Sequence, residues 1–302
     1  MSDLVLTLMP IFAVIAVGLV MKRVGFPGDG FWQPAERLIY YVLLPALLVR
    51  NLAGADLAAL AIGPLIGAVV AAFVAVAALF LLIGRLLGQH GPSFATAFMG
   101  AIRFNTYAGL AAVIGIHAGP GLALFSVLIG VMIPILNVLS VAALVRHVHG
   151  GGVLAIAAHI LRNPLVLGCA GGLALNVLGV AIPDMIGGVL DILARTALGV
   201  ALLAVGAGLT PQGLRTSAPL LVGATVVKLA ILPLAVALAC AVVGVGGVER
   251  GVAILYATLP SSPQGYVLAR QLGGDGALIA AIISGTTALG ILTMPLMLGL
   301  LT

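Results

Sequence analysis

Apolar runs of about twenty residues follow one another along the whole chain, separated by short clusters of Gly, Pro and charged residues. A bilayer crossing needs roughly 20 apolar residues, so each run predicts a membrane helix. The first half gives five spans, Leu4–Met21, Pro34–Leu52, Ile62–Ile83, Phe94–Ile116 and Leu122–Val145. The second half gives five more, Pro164–Val180, Gly187–Leu209, Ala218–Val243, Val252–Gln271 and Ala277–Leu300. Between them lies Arg146-His147-Val148-His149-Gly150-Gly151-Gly152, followed by a short interfacial helix to Arg162. The halves are therefore 1–149 and 150–302. An odd number of spans per half makes the second half enter the membrane in the opposite sense. If the halves are repeats, they are inverted repeats, an architecture common among secondary transporters.

Two spans depart from the apolar pattern, and they stand five spans apart. The fourth contains Arg103-Phe104-Asn105-Thr106-Tyr107-Ala108-Gly109 in the middle of its run. Polar groups at that depth cost several kcal/mol unless they face protein, water or a ligand. The ninth contains Tyr256-Ala257-Thr258-Leu259-Pro260-Ser261-Ser262-Pro263-Gln264-Gly265-Tyr266. Pro260 and Pro263 lack backbone donors and cannot sit in a regular helix without freeing carbonyls. Unwound backbone at bilayer depth is tolerated where it is buried or lines a cavity, and a matched pair of such breaks points to a midplane transport site.

Composition agrees with a membrane protein. Of 302 residues 63% are hydrophobic and 7% charged, against roughly a quarter charged in a soluble domain. The first run has Asp3 before it and Lys22-Arg23 after it. A secretory signal has the reverse polarity, so this run reads as a retained span. Lys22, Arg23, Arg85, Arg146, Arg162, Arg215 and Arg270 fall in the odd-numbered connections. That bias places those loops in the cytoplasm and both termini outside, with Arg50 as the main exception.

The net charge of +5 is spread over such loops. No basic run exceeds two residues and no aromatic platform accompanies one, which excludes a nucleic-acid surface. Cys169 and Cys240 sit in apolar runs and read as free thiols packed like small hydrophobes. His147 and His149 lie in a glycine-rich turn, and no Cys/His pattern suggests a metal. The sequence shows no acidic metal-binding set, no Ser/His/Asp arrangement at one depth and no phosphate-cradling loop, so it predicts neither an enzyme nor a cofactor. Its 41 glycines are scattered at spacings suited to close helix packing.

Arg103 has two readings, a fixed charge that clamps an anionic substrate with its planar fork or a side chain snorkelling to the cytoplasmic interface. Asn105 and Thr106 either cap a half-helix whose amides point at the same anion, or glue two spans together. Ser261, Ser262 and Gln264 supply replacement hydrogen bonds and ligand groups in the ninth span. Lys228 is a deep cation that would neutralise an anion, stand where a related carrier holds a coupling cation, or bond the carbonyls freed in the fourth or ninth span. Asn137 beside Pro134 is a kink partner or a site residue. Asp191 and Arg195 are one turn apart and predict an intrahelical ion pair without a substrate role. No Asp or Glu falls in the middle of any span, so a buried carboxylate for proton or sodium coupling has no candidate.

These residues carry a resemblance that runs almost end to end. Leu43-Leu44-Pro45-Ala46-Leu47, Arg103 to Tyr107, Ile133 to Val141, Arg162-Asn163-Pro164, Lys228 to Pro233, Leu259-Pro260, Gln264-Gly265 and Met294-Pro295-Leu296 together resemble the auxin efflux carrier family, bacterial branch, similar to the plant PIN-formed auxin carriers. The resemblance implies an all-α integral membrane fold of ten transmembrane helices, two inverted five-helix repeats with crossing breaks in helices four and nine, similar to bile-acid transporters. It implies a scaffold of spans one, two, six and seven, a transport domain of the other six, elevator movement, and often a homodimer through the scaffold. Family substrates are organic anions: auxins, malonate, malate or similar carboxylates. One departure stands out. The plant carriers have a proline shortly after the fourth-span Asn-Thr, where this chain has Ala111 and Ala112, so its fourth break rests on Asn105 and Gly109. The sequence thus predicts an inner-membrane carrier for a small organic anion. A sodium-coupled carrier of the bile-acid-transporter type and a membrane ligand sensor are the alternatives.

Overall fold

A computed structural model describes residues 2–28, 30–55, 62–117, 119–148, 164–209 and 218–302. Among these the chain is helical, without strands. The separator from His149 to Asn163, with its His149, and the basic residue Arg215 lie outside the described residues.

Helix α1 (Ser2–Arg23) ends on Lys22 and Arg23. Helix α2 (Trp32–Leu38) passes through a widened turn, Ile39–Leu43, into α3 (Leu44–Ala53). The same device recurs where α10 (Ala218–Val226) passes through Val227–Ile231 into α11 (Leu232–Val243). In both cases a proline, Pro45 or Pro233, follows the wide turn. A proline has no N–H for the carbonyl four residues earlier and its ring crowds that carbonyl, and a π turn relieves both conflicts. The other elements are α4 (Ile62–Leu86), α5 (Pro92–Ile102), α6 (Thr106–Ile116), α7 (Pro120–Val148), α8 (Pro164–Val177), α9 (Asp184–Ala207), α12 (Gly247–Thr258), α13 (Gln264–Gln271) and α14 (Gly276–Leu301).

Among the described residues, seven segments are long and apolar enough to cross a membrane: Leu6–Arg23, Ile62–Leu86, Pro92–Ile116, Pro120–Leu144, Asp184–Ala207, Ala218–Val243 and Gly276–Leu301. Helix α8 is apolar but shorter. The helix over Trp32–Ala53 carries Glu36, Arg37 and Arg50, and the one over Gly247–Gln271 is interrupted. Large apolar side chains such as Leu6, Met9, Met185 and Leu292 face outward, as a lipid-facing surface requires.

Burial separates a periphery from a centre. In the α1 segment 17% of the crossing window is buried, against 83% in Pro92–Ile116, which places the fourth-span polar stretch in the middle of the protein. Helix α1 packs on α9, α3 on α8 and α9, while α4, α5, α7, α10, α11, α12 and α14 pack among themselves. The α1–α9 approach is so close that a Cβ on Gly206 would overlap the Ile15 carbonyl and one on Gly18 the Leu203 carbonyl. Only glycine allows backbones to come together in this way.

The expected Asp191–Arg195 pair does not form. Asp191 instead takes Arg50 from the neighbouring helix α3, with Nε to Oδ1 at 2.8 Å and a second contact from Nη2 to Oδ2 at 3.3 Å. A forked guanidinium bond outcompetes a single-turn helical pair, which is worth only about 0.2–0.5 kcal/mol. The same bond neutralises the one arginine that stood apart from the basic-loop bias. Cys169 and Cys240 are buried free thiols.

Candidate functional site

Helix α5 stops at Ile102, and Arg103 turns the chain into an extended conformation (φ −77°, ψ 149°). Asn105 is also extended and caps α6: its Oδ1 accepts the N–H of Tyr107 at 3.1 Å and of Ala108 at 3.2 Å. Asparagine suits this place because its short amide reaches the orphan amides of a first turn. Helix α12 stops at Thr258, Leu259 is extended, and Pro263 leads into α13.

The two breaks meet. The Asn105 N–H donates to the Pro260 carbonyl at 2.9 Å. Ser261 Oγ donates to the Gly100 carbonyl, one of those left free at the end of α5, at 2.8 Å. The Ser261 N–H donates to Thr286 Oγ1 from α14 at 3.0 Å. Gln264 Nε2 donates to Tyr107 Oη at 3.2 Å. Several backbone groups freed by one break are therefore answered by the other break or by α14, which helps irregular chain survive at this depth.

Arg103 Nη1 donates to Asn137 Oδ1 of α7 at 2.7 Å, so its guanidinium turns inward to the fifth span. Its buried Nε has no partner, and neither has the buried Nδ2 of Asn105. Thr106 and Ser262 line a small cleft together with Arg103, Asn137 and Gln264. That cleft adjoins a cavity of about 350 Å³, which Arg103, Asn137 and Gln264 also line and which extends past Tyr107 and Tyr40 to Glu36 and Arg37. Of the residues singled out in the sequence, Arg103, Thr106, Ser262, Gln264 and Asn137 thus share one space. Asn105, Pro260 and Ser261 build the crossing behind it. Gly109 is packed so tightly that a Cβ there would overlap the Phe125 ring and Leu259.

Lys228 lies elsewhere. It is fully buried in the wide turn between α10 and α11, and its Nζ has no hydrogen-bond partner. The expected bond to carbonyls freed in the fourth or ninth span does not form; two of those carbonyls, Gly100 and Pro260, are taken by Ser261 and Asn105. Its Nζ instead sits 5.6 Å from the centre of the Phe73 ring, a cation–π contact. Phe73 meets Tyr256 edge-on and Tyr256 lies tilted against Phe104, so a row of aromatic rings runs from Lys228 toward the residue next to Arg103.

The sequence alone assigns no role to Glu36, to Thr286 or to Tyr107, which it places in the polar fourth-span stretch. Glu36 lies near the start of the second span, where depth depends on packing. The paired hydroxyls Thr286-Thr287 in an apolar run were the available signal for Thr286.

A helical chain rich in membrane-crossing segments, with two broken helices joined at a polar cavity, has the design of a membrane transporter. The family model described as membrane transport protein, the domain of the auxin efflux carrier family, matches residues 153–298. Over those residues, just under half of the chain, it is similar to that family's domain, in line with the resemblance its sequence motifs carry. The match includes Lys228 and the ninth-span break, while Arg103 and Asn105 lie outside it. No curated protein matches the chain.

Proposed function

We propose that this protein is a secondary carrier of a small organic anion, such as a mono- or dicarboxylate, and that Arg103 is its anion clamp. The observation that carries this reading is the Arg103 guanidinium, held by Asn137 at the joined breaks and turned into the 350 Å³ cavity. Thr106, Ser262 and Gln264 complete the anion's surroundings, and the N-terminal turns of α6 and α13 add the positive ends of two helix dipoles.

Ten spans in two inverted five-helix repeats account for the packing. Exchanging each span with the one five places on turns the α1–α9 contact into α8–α3, and the α5–α7 contact into α12–α14. Both partners of each pair are present in the structure. The α1, α2–α3, α8 and α9 group is the scaffold and the remaining helices the moving body of an elevator, with dimerisation through the scaffold. The protein is a multi-pass inner-membrane protein with its termini outside, and the basic loops then put the Glu36–Arg37 mouth of the cavity on the cytoplasmic side.

Counterflow of radiolabelled malonate and malate into liposomes tests the function. Wild-type protein should exchange at least one of them without sodium, and Arg103→Ala should exchange neither while eluting as the same monodisperse species. Undiminished exchange by the Arg103→Ala protein would remove the clamp role.

A further inference from the structure

The cavity contains a carboxylate that the anion-carrier reading has not used. Glu36 projects from the first helical turns of the second span, which hold the chain's only tryptophan, Trp32, four residues earlier. It lines the same space as Arg103, Asn137 and Gln264 and makes no ion pair within 4 Å among the described residues. Glu36 is partly buried at the mouth of this cavity, and an acid in the path of an anion opposes that anion by charge repulsion.

The other groups that face the cavity set the charge balance. From its own helix come Arg37 and the phenols of Tyr40 and Tyr41. The fourth span contributes Arg103 and Tyr107, while α9 and α13 contribute Ala204, Val205, Val267 and Leu268, which do not titrate. Phenols stay neutral near pH 7. Two guanidiniums therefore oppose one carboxylate. With Glu36 ionised the walls hold a single positive charge, enough to balance a monoanion. With Glu36 protonated they hold two, enough to balance a dianion.

We infer that Glu36 links anion binding to a proton: a dicarboxylate dianion occupies the cavity together with a proton on the Glu36 carboxyl. The inference rests on the anion-carrier reading above and adds to it the proton partner. The sign follows from the charges. Protonation of Glu36 removes the repulsion, so dianion affinity is highest at low pH and is lost as pH rises through the titration of Glu36. A monoanion gains less from the same proton.

Oxalate, a dianion throughout the neutral range, is a suitable probe, read by isothermal titration and by Trp32 emission in purified protein between about pH 6 and 8. Wild-type affinity should weaken with rising pH by up to about tenfold per unit, the slope of one linked proton. Glu36→Gln should bind with an affinity that no longer changes with pH and matches the low-pH wild type. Glu36→Asp keeps a carboxyl on a shorter arm and should retain a slope with a displaced midpoint, which tests the inference independently of how well the glutamine variant folds. A wild-type slope that persists in Glu36→Gln, or a wild type that binds oxalate equally at all pH values, overturns the proton link and leaves the carrier reading standing. Wild-type protein that binds neither oxalate nor acetate at any pH overturns both.

Discussion

The fourth-span and ninth-span breaks do similar jobs with different materials. The ninth break, Leu259 to Pro263, contains two prolines three residues apart, which disfavour a continuous helix through it. Its freed groups are held from several directions: Ser261 by Gly100 of α5 and Thr286 of α14, and the Pro260 carbonyl by Asn105. The fourth break, Arg103 to Asn105, contains no proline. It leans most on one residue, because the Asn105 side chain caps α6 while its own N–H makes the bond to Pro260. The break that is most visible in the sequence is thus the one with most redundant support. The less visible break concentrates its support in a single buried amide beside the arginine that faces the cavity.

That contrast predicts its largest effect at Asn105. Replacing Asn105 with alanine orphans the Tyr107 and Ala108 amides in a fully buried place, and loss of a good cap costs about 2 kcal/mol at the upper end of such substitutions. Thermal unfolding of the purified protein should shift down, and counterflow should fall to background because Arg103 and Thr106 flank the lost cap. Asn105→Asp keeps the accepting oxygen and should recover most of the stability. If the alanine variant unfolds at the wild-type temperature, the fourth break is held by packing and the asymmetry between the two breaks disappears.

The ninth break should respond more mildly to loss of one support. Thr286→Val is nearly isosteric and removes the acceptor of the Ser261 N–H; this leaves one buried donor unpaired, at about 1–3 kcal/mol, where Asn105→Ala leaves two. Ser261 Oγ and the Pro260 carbonyl keep their partners, so exchange activity should persist at reduced thermal stability. Faster amide exchange confined to Ser261 and its neighbours is the expected signature in hydrogen-exchange measurements. Loss of stability as large as that of Asn105→Ala would mean that the ninth break has no redundancy.

What could be read from the sequence follows from how local the physics is. Apolar run length, the proline break and the asparagine preceding a helical run are local signals, and Asn105 does cap α6. The five-span spacing between the two polar stretches pointed to a shared place, and a backbone bond from Asn105 to Pro260 joins them. Partner choice between helices was not legible. Asp191 had an arginine one turn away and took Arg50 from another helix, because a forked tertiary bond is worth more than an exposed i,i+4 pair. Lys228 looked equipped to bond freed carbonyls, yet Ser261 and Asn105 take those of Gly100 and Pro260 and the ammonium lies over Phe73. Glu36 sits at the start of its run, where an acid ordinarily meets water at the interface. Only the packing of α2 beside the cavity reveals that it shares a space with Arg103.

The smallest effect is expected at one of the two prolines that mark the ninth break in the sequence. Pro263 stands before α13 with φ −56° and ψ −31°, angles that alanine adopts without strain. It borders the cavity and is only partly buried. The remaining cost of Pro263→Ala lies in the freer unfolded chain, below about 1 kcal/mol. Exchange activity should be close to wild type and the unfolding temperature only slightly lower. Prolines then specify where the ninth helix stops, while bonds to Gly100, Thr286 and Asn105 keep it stopped. A Pro263→Ala protein that loses exchange while remaining folded would reverse that division and make the proline ring itself part of the site.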